Sequence, residues 1–149
     1  MQKRKSQITN KRARHNYQIK EKIEAGIALK GTEVKSLREG RASISESFVK
    51  ILNNEAYLVN AHIPAWQKTH EEYDPKRSRK LLLHRSQIKS LIGKSQQKGM
   101  ALIPLRIYFK KNHAKVLIGI GKGLKKGDKR EILKKRETER EIKNKIKGV

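Results

Sequence analysis

The stretch LRIYFKKNHAKVLIGI, residues 105–120, decides the fold. Apolar side chains recur at every second position on both sides of a polar turn: Leu105, Ile107 and Phe109 before it, and Val116, Ile118 and Ile120 after it. A period of two is typical of strands with one buried face, and Lys111-Asn112 between them suits a tight turn. The sequence therefore predicts an antiparallel hairpin whose apolar face lies in the core.

Two further stretches upstream show strand patterns. Residues 48–52 and 56–59 flank the asparagine pair at 53–54, and asparagine tolerates the positive φ of a two-residue hairpin turn. Residues 17–29 carry apolar side chains at odd positions, with Gly26 where a strand can bend sharply. We predict a second hairpin and a long first strand.

Two helices are predicted between the strands. The first has Thr32 as its cap, Glu33 in its first turn and Gly40 at its end. The second runs from about residue 85 to 97, has an apolar stripe at i, i+3 and i+4, and stops at Gly99. The order β-α-β-β-α-β-β on a basic chain favours a mainly β fold, an OB-fold-like antiparallel β-barrel with inserted helices that binds nucleic acid.

The chain has a formal net charge of +24, with 38 Lys and Arg against 14 Asp and Glu in 149 residues. So many cations on a small surface are tolerable only if an anionic partner or salt offsets their repulsion, and nucleic acid is the leading partner because phosphate neutralisation releases counterions. We expect one RNA-binding barrel at residues 15–127, after a basic, solvated arm at 1–14. The basic tail at 128–149 has too few apolar residues to fold alone and should be disordered when free.

Other function classes receive little support. There is no cysteine, and no stretch approaches the roughly 20 apolar residues of a membrane span, so we expect a cytoplasmic protein that does not bind membranes. The dispersed histidines lack zinc-ligand spacing, and His70-Glu71-Glu72 lies in a polar loop. The glycines around residues 119–123 match neither a dinucleotide fingerprint nor a P-loop, and are expected to let the chain approach RNA closely. We predict no metal, no cofactor, no catalytic residue and a monomer.

Several blocks of sequence occur together in a recognisable order and spacing. They read NKRARHNY at 10–17, EAG at 24–26, GTEVKSLR at 31–38, RKLLLH at 79–84 and DKR at 128–130. Over about residues 10–140 the chain resembles the SmpB family, the bacterial SsrA-binding proteins that partner transfer-messenger RNA (tmRNA). The resemblance implies an OB-type barrel that binds the tRNA-like domain of tmRNA and delivers it to stalled ribosomes. In that process, trans-translation, the nascent peptide is tagged and the ribosome is rescued.

The resemblance also implies which residues bind RNA. Family positions correspond here to Asn10, Glu24, Leu82, Lys115, Lys122 and Gly123, and nearby cations extend the set to Lys11, Arg12, Arg14, Lys125 and Lys126. The lysines neutralise phosphates. Phosphate would repel Glu24 unless its carboxylate accepts from base amino groups or orients a neighbouring cation, so Glu24 hints at specificity. Without the resemblance, Glu24 reads equally well as a solvated strand residue and Leu82 as a core residue.

The tail is expected to replace the missing message in the ribosome. Its candidate ribosome-interacting residues are Asp128, Lys129, Arg130, Lys134, Arg136, Ile142 and Ile146. The last two would share one face of a helix, and the cations suit a channel lined by rRNA phosphates. The resemblance implies the ribosomal decoding site and mRNA channel as partners, with the elongation factor that carries aminoacyl-tRNA as a further one. Leu124 and Gly127 depart from the family pattern, which commonly has a lysine and a ring-bearing residue there.

Two other classes remain open from composition. A ribosomal protein or a general basic chaperone for tRNA or rRNA would carry the same charge, although charge alone would not produce the ordered blocks. An enzyme that acts on tRNA or rRNA would also be basic, but the chain lacks a paired acid/base or metal constellation. The RNA that the protein retains discriminates between the classes, because tmRNA is a single small stable RNA.

Overall fold

The computed structural model describes residues 7–67 and 72–124, and the structural statements below refer to these residues. In chain order the elements are β1 (Ile8–Thr9), α1 (Ala13–Asn16), β2 (Tyr17–Ile27), α2 (Gly31–Arg38), β3 (Phe48–Leu52), β4 (Glu55–Val59), β5 (Arg79–Leu82), α3 (Arg85–Ser95), β6 (Met100–Lys110) and β7 (His113–Gly123). The strands form one antiparallel sheet in the order β1-β6-β7-β2-β5-β4-β3. The prediction of a mainly β, antiparallel fold is therefore confirmed.

Both predicted hairpins are confirmed. The pair at 53–54 joins β3 to β4, and the pair at 111–112 joins β6 to β7. All four turn residues have φ between 50° and 67°, as a two-residue turn of this kind requires. Val116, Ile118 and Ile120 are buried, with at most 3% of their surface exposed. Local alternation in the sequence thus located the centre of the core.

The sheet does not close into a barrel, so the predicted closure is wrong. The outer edge of β6 is taken by the N-terminal chain, because Ile8 pairs with Ile107 and the Asn10 amide donates to the Leu105 carbonyl at 2.8 Å. Pro104 in the same strand has no N–H to offer to another strand. In the described part of the chain, β3 and β6 therefore share no ladder, and the sheet stays open between its two edges.

Residues 8–14 are not the solvated arm that their charge predicted. Ile8, Asn10 and Ala13 are only 7%, 5% and 2% exposed, respectively. Two apolar anchors and one strand pairing are enough to hold this segment on the sheet. The surrounding lysines and arginines hid these anchors from a reading based on composition.

The two predicted helices, α2 and α3, lie where the sequence placed them, with one difference at a cap, whereas the short helix α1 was not predicted. Helix α2 begins at Gly31, and Lys30 is its cap residue, whose amide donates to Glu33 Oε1 at 2.7 Å. Thr32, the predicted cap, instead accepts a hydrogen bond from the Trp66 amide at 2.7 Å. Gly40 follows the helix with φ of 73°, as expected for a residue that terminates a helix.

Candidate nucleic-acid interface

The outward side of the central strands β5, β2, β7 and β6 is rich in cations, and we call it the basic face. It consists of Lys80, Leu82, Lys22, Glu24, Gly26, Lys115, Leu117, Arg106, Tyr108 and Lys110. Side chains alternate along a strand, and their neighbours Ala25, Ile107 and Val116 are buried on the other side. With five cations and one carboxylate, this surface suits a phosphate backbone.

Three of the predicted RNA-binding residues meet in the middle of the basic face. Gly26 pairs with Leu82 on β5 and with Lys115 on β7, two positions along β2 from Glu24. Glu24, Leu82 and Lys115 border a shallow cavity of about 320 Å³, together with His84 and other residues of the turn into α3. The sheet register thus assembles side chains that are far apart in the sequence.

The Glu24 carboxylate is held by neighbours on β6. The Tyr108 hydroxyl donates to Glu24 Oε2, and Lys110 Nζ lies 3.6 Å from Oε1. The hydrogen bond from Tyr108 is the main reason that the pKa of Glu24 lies below its usual value; burial opposes this effect, and the nearby Lys110 and Lys115 lower the pKa further. Burial, together with the bond to Glu24, raises the pKa of Tyr108 to about 12. Glu24 is therefore ionised near neutral pH and can only accept hydrogen bonds.

Leu82 is 53% exposed, so it is not a core residue. A Cβ at Gly26 would lie 3.2 Å from the Cβ of Leu82, which is tighter than ordinary packing. The glycine therefore leaves room for Leu82 to lie across β2 beside Glu24. An exposed leucine in this place offers an apolar surface to the face of a base or ribose.

A second cavity, of about 460 Å³, lies where the N-terminal segment meets the basic face. It is lined by Asn10, Arg14, Tyr17, Lys22, Arg106 and Leu117, among others. Asn10 is almost wholly buried, and its Nδ2 donates to the Pro104 carbonyl at 2.9 Å. We therefore assign Asn10 to fastening the segment on β6, so that it places Arg14 beside the basic face.

The remaining candidates lie elsewhere. Lys11 is exposed in the turn before α1, and Arg12 forms an exposed ion pair with Glu46 at 3.4 Å. The Lys122 side chain is exposed at the end of β7, close to Gly99. Lys125, Lys126 and the seven candidate residues of the tail lie outside the described residues.

The glycines near the end of β7 have two different uses. A Cβ at Gly119 would lie 2.9 Å from Leu105 Cδ1, and one at Gly121 would lie 2.8 Å from the Gln18 carbonyl oxygen. Packing inside the protein thus leaves little room for a side chain at these two positions, and their close approach to RNA stays a prediction. At Gly123 the nearest atom, on the Tyr17 ring, would be 4.0 Å away, so this position is open.

A second carboxylate cluster has a fully buried glutamate and arginine at its centre. Glu33 is buried and accepts hydrogen bonds from Arg77 Nη2 at 2.5 Å and Arg79 Nε at 2.6 Å, and the Tyr73 hydroxyl lies 3.0 Å from it. Burial alone would raise the pKa of Glu33, but the bonds from Arg77, the Lys30 amide and Arg79 outweigh it and lower the pKa. Arg79, also buried, donates further to backbone carbonyls at 61, 75 and 77. Its donors and the carboxylate oxygens are occupied, which assigns this cluster to structure.

Sequence reasoning missed two kinds of residue. Tyr108, Arg106 and Lys110 stood on the polar side of a predicted strand, and that alternation was the signal for an exposed functional face. No local signal marked Arg79 as buried.

Within residues 7–67 and 72–124, no helix is long and apolar enough to cross a membrane, and no three metal-ligating side chains are grouped.

Several known proteins are similar to this chain along most of its length. A family model described as SmpB protein matches residues 7–148. An SsrA-binding protein of Halalkalibacterium halodurans is 50% identical over 139 residues, covering 93% of this chain and 90% of the relative. One of Bacillus pumilus is 53% identical over 134 residues, covering 89% and 86%. A solved structure described as "tmRNA-SmpB: a journey to the center of the bacterial ribosome" has 47% identity and a TM-score of 0.68, covering 84% of this chain and 92% of its own.

Proposed function

Because this chain belongs to the SmpB family, we propose that it binds SsrA RNA, which is tmRNA, and acts with it in trans-translation on the ribosome. The observation that carries the proposal is the identity of about half of all positions to SsrA-binding proteins, over nine-tenths of the chain. Members of the family bind RNA and are not enzymes, and we assign no catalytic residue.

We further propose that the basic face binds the tRNA-like domain of tmRNA. Lysines on neighbouring strands form a broad cationic surface, which suits recognition of RNA by shape and by backbone contacts. Glu24 and Leu82 interrupt this surface with an acceptor and an apolar contact, and neither gains from phosphate alone. Their position in the middle of the cations supports a selective role within a largely electrostatic interface. The complex would then be delivered to stalled ribosomes, where the peptide is tagged and the ribosome rescued.

The ribosomal half of the proposal concerns the tail. Its cations and its isoleucines at 142 and 146 suit folding on rRNA in the decoding site and the empty mRNA channel. Ending the chain at Asp128 should leave binding to the isolated RNA near normal and abolish peptide tagging in a purified translation system. Full tagging by the shortened protein would reject the channel role. A cytoplasmic monomer that also meets the elongation factor for aminoacyl-tRNA completes the proposal.

The bound RNA tests the function directly. Immunoprecipitation of the protein from its own cells, followed by sequencing of the retained RNA, should yield one dominant small stable RNA. A mixture of rRNA or many tRNAs would instead support the ribosomal-protein or general-chaperone alternative. The sequence identity to SsrA-binding proteins favours the first result, because a general chaperone has no reason to share it.

A further inference from the structure

We propose that Tyr108 is a positioning residue that sets RNA selectivity by aiming the Glu24 carboxylate at a neutral donor of the RNA, a base amino group or a ribose 2′-hydroxyl. This inference rests on the proposed function and deepens it. Neither the sequence pattern nor the family resemblance singled out Tyr108. The geometry that carries the inference is the contact between β6 and β2 across the intervening strand β7.

An unrestrained glutamate would weaken this interface. Its side chain has several rotatable bonds, and on a surface with five cations it would settle in ion pairs with lysines. Each such pair withdraws a cation from the phosphates. The carboxylate therefore needs a partner that fixes it without consuming a positive charge, and a neutral hydroxyl is such a partner.

Tyr108 meets this requirement. It pairs with Lys115 in the β6–β7 ladder, and Lys115 pairs with Gly26 of β2, so the Tyr108 ring lies one strand away from Glu24. Its hydroxyl reaches across and donates to Oε2. The Arg106 guanidinium lies 4.9 Å from the ring centroid, within the range of a cation–π contact. The strand backbone and this contact both restrain the ring.

The carboxylate retains capacity for a ligand. Lys110 Nζ forms an ion pair with Oε1 at 3.6 Å, which is longer than a hydrogen bond, and an ionised carboxylate has about four acceptor positions. The Glu24 side chain is 35% exposed and borders the cavity beside Leu82. An acceptor in this place repels phosphate oxygens and accepts from amino or hydroxyl groups. It therefore favours an RNA that presents such a donor here over one that does not.

The test removes only the hydroxyl. The Tyr108→Phe variant keeps the ring, and dissociation constants are measured for the tRNA-like domain of tmRNA and for an ordinary tRNA at one salt concentration. We expect the preference for the tRNA-like domain to fall about fivefold to tenfold, which is within the range of a typical net hydrogen bond, with affinity for tRNA unchanged. Tyr57→Phe is the matched control, since the Tyr57 hydroxyl has no hydrogen-bond partner among the described residues.

A double-mutant cycle separates positioning from direct contact. In a Glu24→Ala background, Tyr108→Phe should change the preference by less than about twofold, because the residue acts only through Glu24. An equal loss in both backgrounds would show that Tyr108 binds RNA itself, and an equal loss for both RNAs would show a structural role. Either result overturns the inference.

Two further arms identify the donor. In one, unpaired positions of the tRNA-like domain carry 2′-deoxyribose, and in the other they carry bases without their amino groups. A substitution that weakens binding of the wild type but not of Tyr108→Phe marks the donor, and the absence of any such position overturns the inference. A wild-type preference that survives Tyr108→Phe overturns the inference alone. A wild type without preference overturns the proposed function with it.

Discussion

Glu33 and Glu24 each lie beside a tyrosine hydroxyl and two cations, yet one is fully buried and the other is 35% exposed at its side chain. The buried one is paired with two arginines, whose guanidinium groups donate along fixed directions. The exposed one has lysines as neighbours, of which Lys110 lies beyond hydrogen-bond distance. Charge composition is the same around both carboxylates.

The two carboxylates differ in how many of their hydrogen-bond acceptor positions remain unoccupied. Taking a carboxylate out of water is costly unless its lone pairs are used, and Glu33 accepts from the Lys30 amide and two arginines. Within the described part of the chain, Glu24 accepts a hydrogen bond from Tyr108 and has a longer ion pair with Lys110 at 3.6 Å. A cluster with every position filled can hold a fold together, whereas one with open positions can recognise a ligand. This distinction is invisible in a count of charges.

The largest effect should come from breaking the buried cluster. Arg79→Met leaves Glu33 with one fewer donor in a buried site, and we expect a loss of about 3–5 kcal/mol in the free energy of unfolding. Urea denaturation measures it. Arg12→Met removes an exposed arginine from its pair with Glu46 and should cost less than about 1 kcal/mol. Equal costs for the two variants would mean that burial does not distinguish the pairs.

The two tyrosines should separate stability from selectivity. Tyr73→Phe removes a hydroxyl that lies 2.5 Å from the Ile63 carbonyl oxygen and 3.0 Å from Glu33, and we expect it to cost about 1–3 kcal/mol. Its preference between RNAs should equal that of the wild type. Tyr108→Phe should melt close to the wild type and lose preference. A reversed outcome in paired melting and binding measurements would exchange the roles of the two clusters.

Acid should weaken the buried cluster. The folded-state pKa of Glu33 is lowered, so its contribution is present above the unfolded pKa, about 4.3, and is lost as the pH falls through the lower folded value. Urea denaturation between pH 7 and pH 3 should show this loss, and Glu33→Gln should reduce the pH dependence while lowering stability at pH 7. Glu24→Gln should alter the profile less, because solvent screens an exposed carboxylate. An unchanged profile in Glu33→Gln would contradict the assignment.

Local patterns in the sequence predicted the elements that depend on the periodicity of apolar side chains along the chain. The hairpins, helix α3 and the buried faces of β6 and β7 follow from periods of two and 3.6. Strand β5 was missed because its buried positions alternate Arg79 with Leu81, and a buried arginine is credible only once its acceptors at 61 and 75 are known. Those acceptors lie in loops that no period describes.

The arrangement of the site could not be predicted from the sequence, because it depends on the register between strands that are far apart in the chain. Glu24, Leu82 and Lys115 were named through the family resemblance, but that they meet depends on the pairing of β2 with β5 and β7. The partnership of Glu24 with Tyr108 spans 84 positions, and nothing within either strand specifies it. Likewise, the closure of the barrel was mispredicted because the segment around Ile8, which occupies the edge of β6, looks like a solvated arm.

The smallest expected effect concerns a cation beside Glu24 and tests whether that cation binds phosphate or holds the carboxylate. Lys115→Ala removes one cation next to Glu24 on the basic face and leaves the Tyr108 hydrogen bond in place. If that lysine neutralises one phosphate, a plot of log affinity against log salt should become shallower by roughly 0.7–0.9. The full interface, with about six to ten phosphate contacts, should lose 10³ to 10⁵ in affinity between 50 and 200 mM salt. Preference between the two RNAs should stay at the wild-type value, because phosphate contacts carry no sequence information.

Lys35→Ala on helix α2, whose Nζ lies 4.5 Å from the Trp66 ring centroid, is the matched control and should leave the slope unchanged. If Lys115→Ala instead lowers the preference and keeps the slope, then Lys115 acts by holding Glu24 and does not neutralise a phosphate. The Glu24 carboxylate would then be held by a neighbouring cation, as Glu33 is held by its arginines.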